Sequence, residues 1–205
     1  MYQSVQDRIT EQLKTMPSGS VLFISDFSDL GTDVAIRQSL QRLTKKETVI
    51  RLAKGVYYYP GLDKSMGIIK PTADQIAQAI AKRDKARIIP TGSYALHKLG
   101  LSTQIPMNVV YLTDGSARKI QIGNQKITFK KSSPRNLAVN HLLTALIIQG
   151  LKELGEENID QHHLSGIQAI IKNAGDQDKI RENIRYAPVW IQKMVREILS
   201  ESGHE

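Results

Sequence analysis

The 205-residue sequence predicts an α+β chain, with an N-terminal winged helix-turn-helix followed by a larger α+β domain carrying a small antiparallel sheet and C-terminal helices. Three observations predict it. Residues 1–60 run helix, brief strand, short helix, glycine turn, longer helix and tight hairpin, the order of a winged helix. Residues 108–130 alternate apolar and polar as half-buried strands do. After Pro134 the period changes to that of helices.

The first helix rests on Val5, Ile9, Leu13 and Met16, spaced to share one face, with Ser4 as N-cap and Asp7 as its capping-box partner. Pro17-Ser18-Gly19 stops it, and Val21-Leu22-Phe23 reads as a short strand. Ser25 is the expected cap of a short second helix through Leu30. Gly31 then turns the chain, and Thr32 or Asp33 caps a third helix.

At 100° per residue, Ile36, Leu40 and Leu43 of the third helix fall on a core-facing arc. The opposite arc holds Val34, Arg37, Gln38, Gln41, Arg42 and Lys45. Arginine can make two hydrogen bonds to guanine, glutamine can do the same to adenine, and Val34 suits a thymine methyl. Lys45 and Lys46 end the helix, where cations suit phosphates or the helix dipole. Next, Thr48 to Leu52 reads as a strand, Ala53-Lys54-Gly55 as a tight turn and Val56 to Tyr59 as the return. Arg51, Lys54 and Gly55 make the tip of this wing. One of the three tyrosines is expected inward, the others at the surface. Thr32, Val34, Arg37, Gln38, Gln41, Arg42, Lys45, Lys46, Arg51, Lys54 and Gly55 are the expected DNA contacts.

The run from Ala35 to Pro60 contains Leu40, Arg42 and Leu43, then Ile50-Arg51, then Lys54-Gly55-Val56-Tyr57. On these residues it resembles the N-terminal winged helix of AbiEi-type antitoxins, from the AbiE type IV toxin–antitoxin systems. Gly92 to Gly115, with its short helix, Leu-Gly-Leu, proline and emerging strand, is similar to the same family. The resemblance implies a bacterial phage-defence regulator, a repressor of its own promoter acting at inverted repeats. It also implies a C-terminal domain that opposes a nucleotidyltransferase-like toxin without forming a stable complex.

Domain expectations follow the same marks: 1–60 as the DNA-binding domain, 61–72 as linker, and 73–205 as an AbiEi-like domain. In the last, Ala73 to Lys82 reads as a helix, Ile88-Ile89 as a strand and Ser93 to Leu99 as a helix closed by Gly100. Strands are expected at Asn108 to Leu112, Lys119 to Ile122 and Lys126 to Lys130, with one face buried. Lys119, Lys126 and Lys130 then share the outer face as a second basic surface. Helices are expected at Leu137 to Leu154, Leu164 to Ala174, Asp178 to Arg185 and Pro188 to Leu199, with Trp190 as a packing anchor.

The net charge of +8 favours a polyanionic partner. It is concentrated in residues 60–131, where twelve Lys/Arg stand against four Asp/Glu; residues 1–59 carry eight against six. The sequence has no cysteine, no bilayer-length apolar run and no signal peptide, so a cytoplasmic protein is expected. Catalysis is not expected: Asp114 lacks the paired carboxylate that metal-dependent nucleotidyl transfer needs, and Ser93 and His97 have no third group to orient them. His162-His163 near Asp160 is a poor metal site, because adjacent side chains seldom converge on one ion. No cofactor is expected. The leading expectation is therefore a DNA-binding repressor and antitoxin; the alternative is a winged-helix protein-interaction module that does not read DNA.

Overall fold

The computed structural model describes residues 3–63 and 67–201; residues 64–66 of the expected linker lie outside the described residues. The chain divides into two compact units, residues 1–80 with 121–123 and residues 81–120 with 124–205.

In the first unit, α1 (Val5–Thr15) opens on the capping box read from the sequence. The Asp7 amide donates to Ser4 Oγ (3.2 Å), and the Asp7 carboxylate accepts from the Ser4 amide (3.1 Å). Then come β1 (Val21–Phe23), a 3-10 helix at Ile24–Leu30, α2 (Asp33–Lys45), β2 (Ile50–Ala53) and β3 (Val56–Tyr58). Ser25 is not the cap of the short helix. Ile24 is already inside it, so the capping position falls on Phe23, and the Asp26 carboxylate accepts the Phe23 amide at 2.8 Å. Thr32 caps α2, its hydroxyl accepting from the Ala35 amide at 3.3 Å.

The sheet order β1-β3-β2 places β3 in the centre, antiparallel to both neighbours. The expectation of one inward tyrosine is overturned: Tyr57 and Tyr58 are both buried and Tyr59 is half-buried, because Tyr57 joins the helical core while Tyr58, on the other face of β3, lies against the Ile69 backbone. One core joins Ile9 and Leu13 of α1, Leu22, Phe27, the Ile36, Leu40 and Leu43 stripe of α2, Val49 and Tyr57. Part of the stretch expected as linker is instead an antiparallel hairpin of β4 (Gly61–Asp63) and β5 (Gly67–Ile69). Its ladder satisfies backbone groups that a loop leaves to water, and the Tyr58 hydroxyl donates to the Ile69 carbonyl (2.7 Å). The helix α3 (Ala73–Arg83) follows.

The second unit is α+β with C-terminal helices, as expected. Its sheet, β6 (Ile88–Thr91), β7 (Asn108–Thr113), β8 (Arg118–Ile122) and β9 (Gln125–Lys131), has the order β6-β7-β9-β8. β6 and β7 are antiparallel, but β7 and β9 pair in parallel, a departure from the all-antiparallel reading. Alternation specifies which face a strand buries but not its neighbour's direction. Between β6 and β7 lies α4 (Ser93–Lys98). The helical part comprises α5 (Pro134–Leu137), α6 (Leu142–Leu154), α7 (Gln161–Ala174), α8 (Gln177–Asn183) and α9 (Val189–Glu201).

The single helix expected from Leu137 to Leu154 is broken at residues 138–141. There the Asn140 amide donates to the Oδ1 of buried Asn183 (3.1 Å) and His141 is extended. His162 and His163 lie in the first turn of α7, not in a loop, and His163 completes a capping box with Asp160. Gly150 of α6 lets α4 approach closely; a Cβ there would lie 2.9 Å from Leu99 Cδ1 and 3.2 Å from Leu96 Cδ2. Trp190 packs, partly buried, against a core of Ile147, Leu151, Ile167, Ile171, Ile184 and Val195. Among the described residues, no helix is long and apolar enough to cross a membrane.

Candidate nucleic-acid interface

The helix α2 divides into two faces. Ile36, Leu40 and Leu43 are at most 2% exposed and anchor it to α1 and β3. Val34, Arg37, Gln38, Gln41, Arg42 and Lys45 are all exposed, and Val34, an apolar side chain, is 64% exposed. From Val34 to Lys45 this face runs about 16 Å at 1.5 Å per residue, and Val34 to Gln41 covers about 10 Å, three base-pair steps. The face matches the sequence expectation residue for residue.

Arg37 is not idle on this surface. Its Nη2 lies 3.3 Å from Asp33 Oδ2, one turn back, with both side chains more than half exposed. Such i,i+4 pairs are worth about 0.3–0.5 kcal/mol. So weak a pair leaves the Arg37 guanidinium free to exchange Asp33 for another acceptor at small expense. The i,i+4 spacing of Asp33 and Arg37 is the sequence signal for this pair.

The end of α2 is built without glycine. Lys46 is its C-cap, exposed, and its amide donates to the Arg42 carbonyl (3.1 Å). Glu47 takes a left-handed conformation, φ +58°. Its amide donates to Thr44 O (3.1 Å), and the Thr48 amide donates to Leu43 O (3.0 Å). These two bonds form a Schellman closure, which usually calls for glycine at the position Glu47 fills.

At the β2–β3 hairpin the register slips between Arg51 and Ala53, and Arg51, opposite Tyr57, is exposed. Lys54 is exposed at the turn, beside Gly55 at φ +74°, a conformation that excludes most side chains. All the expected contacts of the first unit lie exposed on α2, its two caps and the hairpin, except Gly55, which is half-buried.

In the second unit, the β7–β9 register pairs Asn108 with Lys126, Val110 with Thr128 and Leu112 with Lys130, so these six share one sheet face. The Arg118 guanidinium lies over the Phe129 ring, 5.3 Å from its centre, on the opposite face. Alternation along β8 then puts Lys119 on the face of Lys126 and Lys130. Lys119 and Lys130 are exposed and Lys126 is half-buried. The sequence predicts an open outer face, but this face is covered in part. Ile89 and Leu112 pack into the helical core, and Thr91 Oγ1 donates to Gln149 Oε1 of α6 (2.8 Å). The β6 side is thus covered and the β8–β9 side carries the lysines.

Further cations crowd beyond β9. Lys152 Nζ donates to Asn136 Oδ1 at 3.4 Å. Burial, and then the Arg135 guanidinium, hold its ammonium below the usual lysine range. On the opposite face, Arg118 is paired with Asp84, next to Arg83.

His97 is half-buried, stacks on Tyr94 (centroids 6.2 Å apart), and its Nδ1 has no hydrogen-bond partner. The Asp114 carboxylate accepts the Arg87 amide (2.8 Å), tying two loop ends. Among the described residues no three His, Asp or Glu side chains are placed to hold a metal ion.

A family model described as "Family of unknown function (DUF6088)" matches residues 8–180 of the chain. The crystal structure of the RV2827C protein from Mycobacterium tuberculosis is similar over 97% of this chain and 76% of that one, with a TM-score of 0.50 and 12% identity. At that identity the likeness is one of fold. No curated protein matches.

Proposed function

The chain belongs to the DUF6088 family, whose function is unknown, and we propose that it is a DNA-binding transcriptional repressor whose first sixty residues act as a winged helix-turn-helix. The observation that carries this reading is the outer face of α2. It presents Arg37, Gln38, Gln41 and Arg42 to solvent on a helix fixed from behind by Ile36, Leu40 and Leu43. Arginine and glutamine are the side chains that make paired hydrogen bonds to guanine and adenine in the major groove. Thr32 and Lys46 at the helix ends, Lys45, and Arg51 and Lys54 on the hairpin supply phosphate contacts on either side.

The reading extends to an antitoxin of AbiEi type in the bacterial cytoplasm, autoregulating through inverted repeats and opposing a nucleotidyltransferase-like toxin without a stable complex. It is supported by the two AbiEi-like stretches, Ala35 to Pro60 and Gly92 to Gly115. Co-expression with a neighbouring nucleotidyltransferase-like reading frame tests it: growth is restored, yet the two proteins do not co-purify.

The DNA-binding step is tested by gel shift on the DNA upstream of the gene. At ~150 mM salt, Arg37→Ala with Arg42→Ala should weaken binding at least about 30-fold, the equivalent of two base contacts of about 1 kcal/mol each. Unchanged affinity would remove α2 from its assigned role.

A further inference from the structure

On the second unit, Lys119, Lys126 and Lys130 surround Thr128 on the β8–β9 side of this sheet face, with Lys119 and Lys130 exposed and Lys126 half-buried. Lys126 and Lys130 stand about 13 Å apart along β9, with Lys119 on the adjacent strand between them. Thr128 is 4% exposed and its hydroxyl donates to Asn108 Oδ1 at 2.9 Å, so the centre of the triangle is a closed polar pair. No carboxylate stands on this face of β7, β8 or β9, and none of the three lysines forms an ion pair among the described residues. Like charges on adjacent strands repel and weaken a sheet. Folding therefore gains nothing from this arrangement, whereas a polyanion lying across it relieves the repulsion.

The chemistry of the patch narrows its partner. The aromatic side chains of these strands, Tyr111 and Phe129, stack on each other on the opposite, buried face. A surface that holds single strands needs aromatic platforms for the bases. The core of a protein–protein interface is depleted in lysine and enriched in aromatics and arginine. Lysines alone, as mobile point charges with no fork to read a base, suit evenly spaced phosphates.

We propose that Lys119, Lys126 and Lys130 form a second, sequence-independent contact that grips the phosphate backbone of duplex DNA. It rests on the reading of the protein as a DNA binder, but uses none of the residues of α2. It assigns the positive charge of residues 60–131, which lies outside the base-reading helix, to affinity and not to sequence choice.

The test is a salt titration of the full chain on a duplex of its upstream DNA and on an unrelated duplex. Wild type is compared with Lys119→Gln/Lys126→Gln/Lys130→Gln and with Arg37→Ala/Arg42→Ala. Each phosphate contact contributes about 0.9 to the slope of log affinity against log salt. The lysine variant should lower that slope by about 2–3 on both duplexes, leave their affinity ratio unchanged, and unfold no more easily than wild type. The arginine variant should instead reduce the ratio. If the lysine variant keeps the wild-type slope while the arginine variant loses the upstream DNA, the second contact is wrong and the α2 reading stands. If the slope falls but the arginine variant keeps its preference, the reading of α2 is wrong and the lysine contact stands. Wild type that retains neither duplex at ~50 mM salt overturns both. A single strand that outcompetes the duplex through these same lysines overturns the choice of ligand.

Discussion

Leu40→Ala tests how firmly the exposed face of α2 is held. Leu40 is 0% exposed and belongs to the cluster of Ile9, Leu13, Ile36, Leu43 and Tyr57, contributed by α1, α2 and β3. The substitution removes three carbons, worth about 2.4 kcal/mol at about 0.8 kcal/mol each, and leaves a cavity that three elements cannot close together. The expected loss is about 3–4 kcal/mol. A unit of this size is stable by only about 4–12 kcal/mol, so much of its margin goes. Urea unfolding followed by circular dichroism reads the effect. With a slope near ~1.5 kcal/mol per M, the midpoint falls by about 2 M. The neighbouring Gln41→Ala, on the exposed face, should stay within about 0.5 kcal/mol of wild type. A Leu40→Ala midpoint shift below about 0.5 M, or an equal loss from Gln41→Ala, would refute the division of α2 into an anchored and a free face.

Two further outcomes follow from the helix ends. Glu47→Gly relieves a left-handed strain of about 1–2 kcal/mol and loses part of that gain to a more flexible unfolded chain. Thermal or urea unfolding should show a net stabilisation of about 0.5–1 kcal/mol, and a destabilised variant would contradict the closure described. Acid unfolding should set in only below about pH 4. The Ser4 hydroxyl lowers the pKa of Asp7, the His163 amide that of Asp160, and the Lys179 ammonium that of Asp176. These carboxylates are depressed in the folded state, so their stabilisation is complete above the unfolded value near ~3.9 and is lost as pH falls through the folded values. A pH–stability profile read by urea midpoints should be flat from pH 7 to 5, and Asp176→Asn should flatten part of the acid limb. An acid limb unchanged in that variant counts against the assignment.

The readable parts of the chain are those where one local rule decides. Ser4 and Asp7 announce the start of α1, and the spacing of Ile36, Leu40 and Leu43 separates the buried stripe of α2 from its exposed arc. The loop at Gly123 joins β8 to β9 in the gap between the strands expected at Lys119 to Ile122 and Lys126 to Lys130. The misses are positions where a distant partner decides. Tyr58 is buried on the face of β3 away from Tyr57, where its hydroxyl reaches the Ile69 carbonyl, a contact that strand content does not carry. The break before α6 depends on Asn183, forty-three residues away from Asn140. The parallel β7–β9 pair is equally non-local. Glu47 is hidden for the opposite reason: the closure is local, but the residue in it is not the glycine that signals one. The lysine triangle was legible as alternation, whereas its partial covering by α6 was not.

Base reading by α2 is tested most directly by dimethylsulfate protection of guanine N7 on the bound upstream duplex. Arginine contacts guanine through O6 and N7 in the major groove. The proposed reading requires one or more guanines in each half of the inverted repeat to be shielded by wild type. That shielding must disappear at distinct positions in Arg37→Ala and in Arg42→Ala, while Lys119→Gln/Lys126→Gln/Lys130→Gln keeps the wild-type pattern at saturating protein. Full occupancy with no shielded N7, or shielding that survives loss of both arginines, would contradict it.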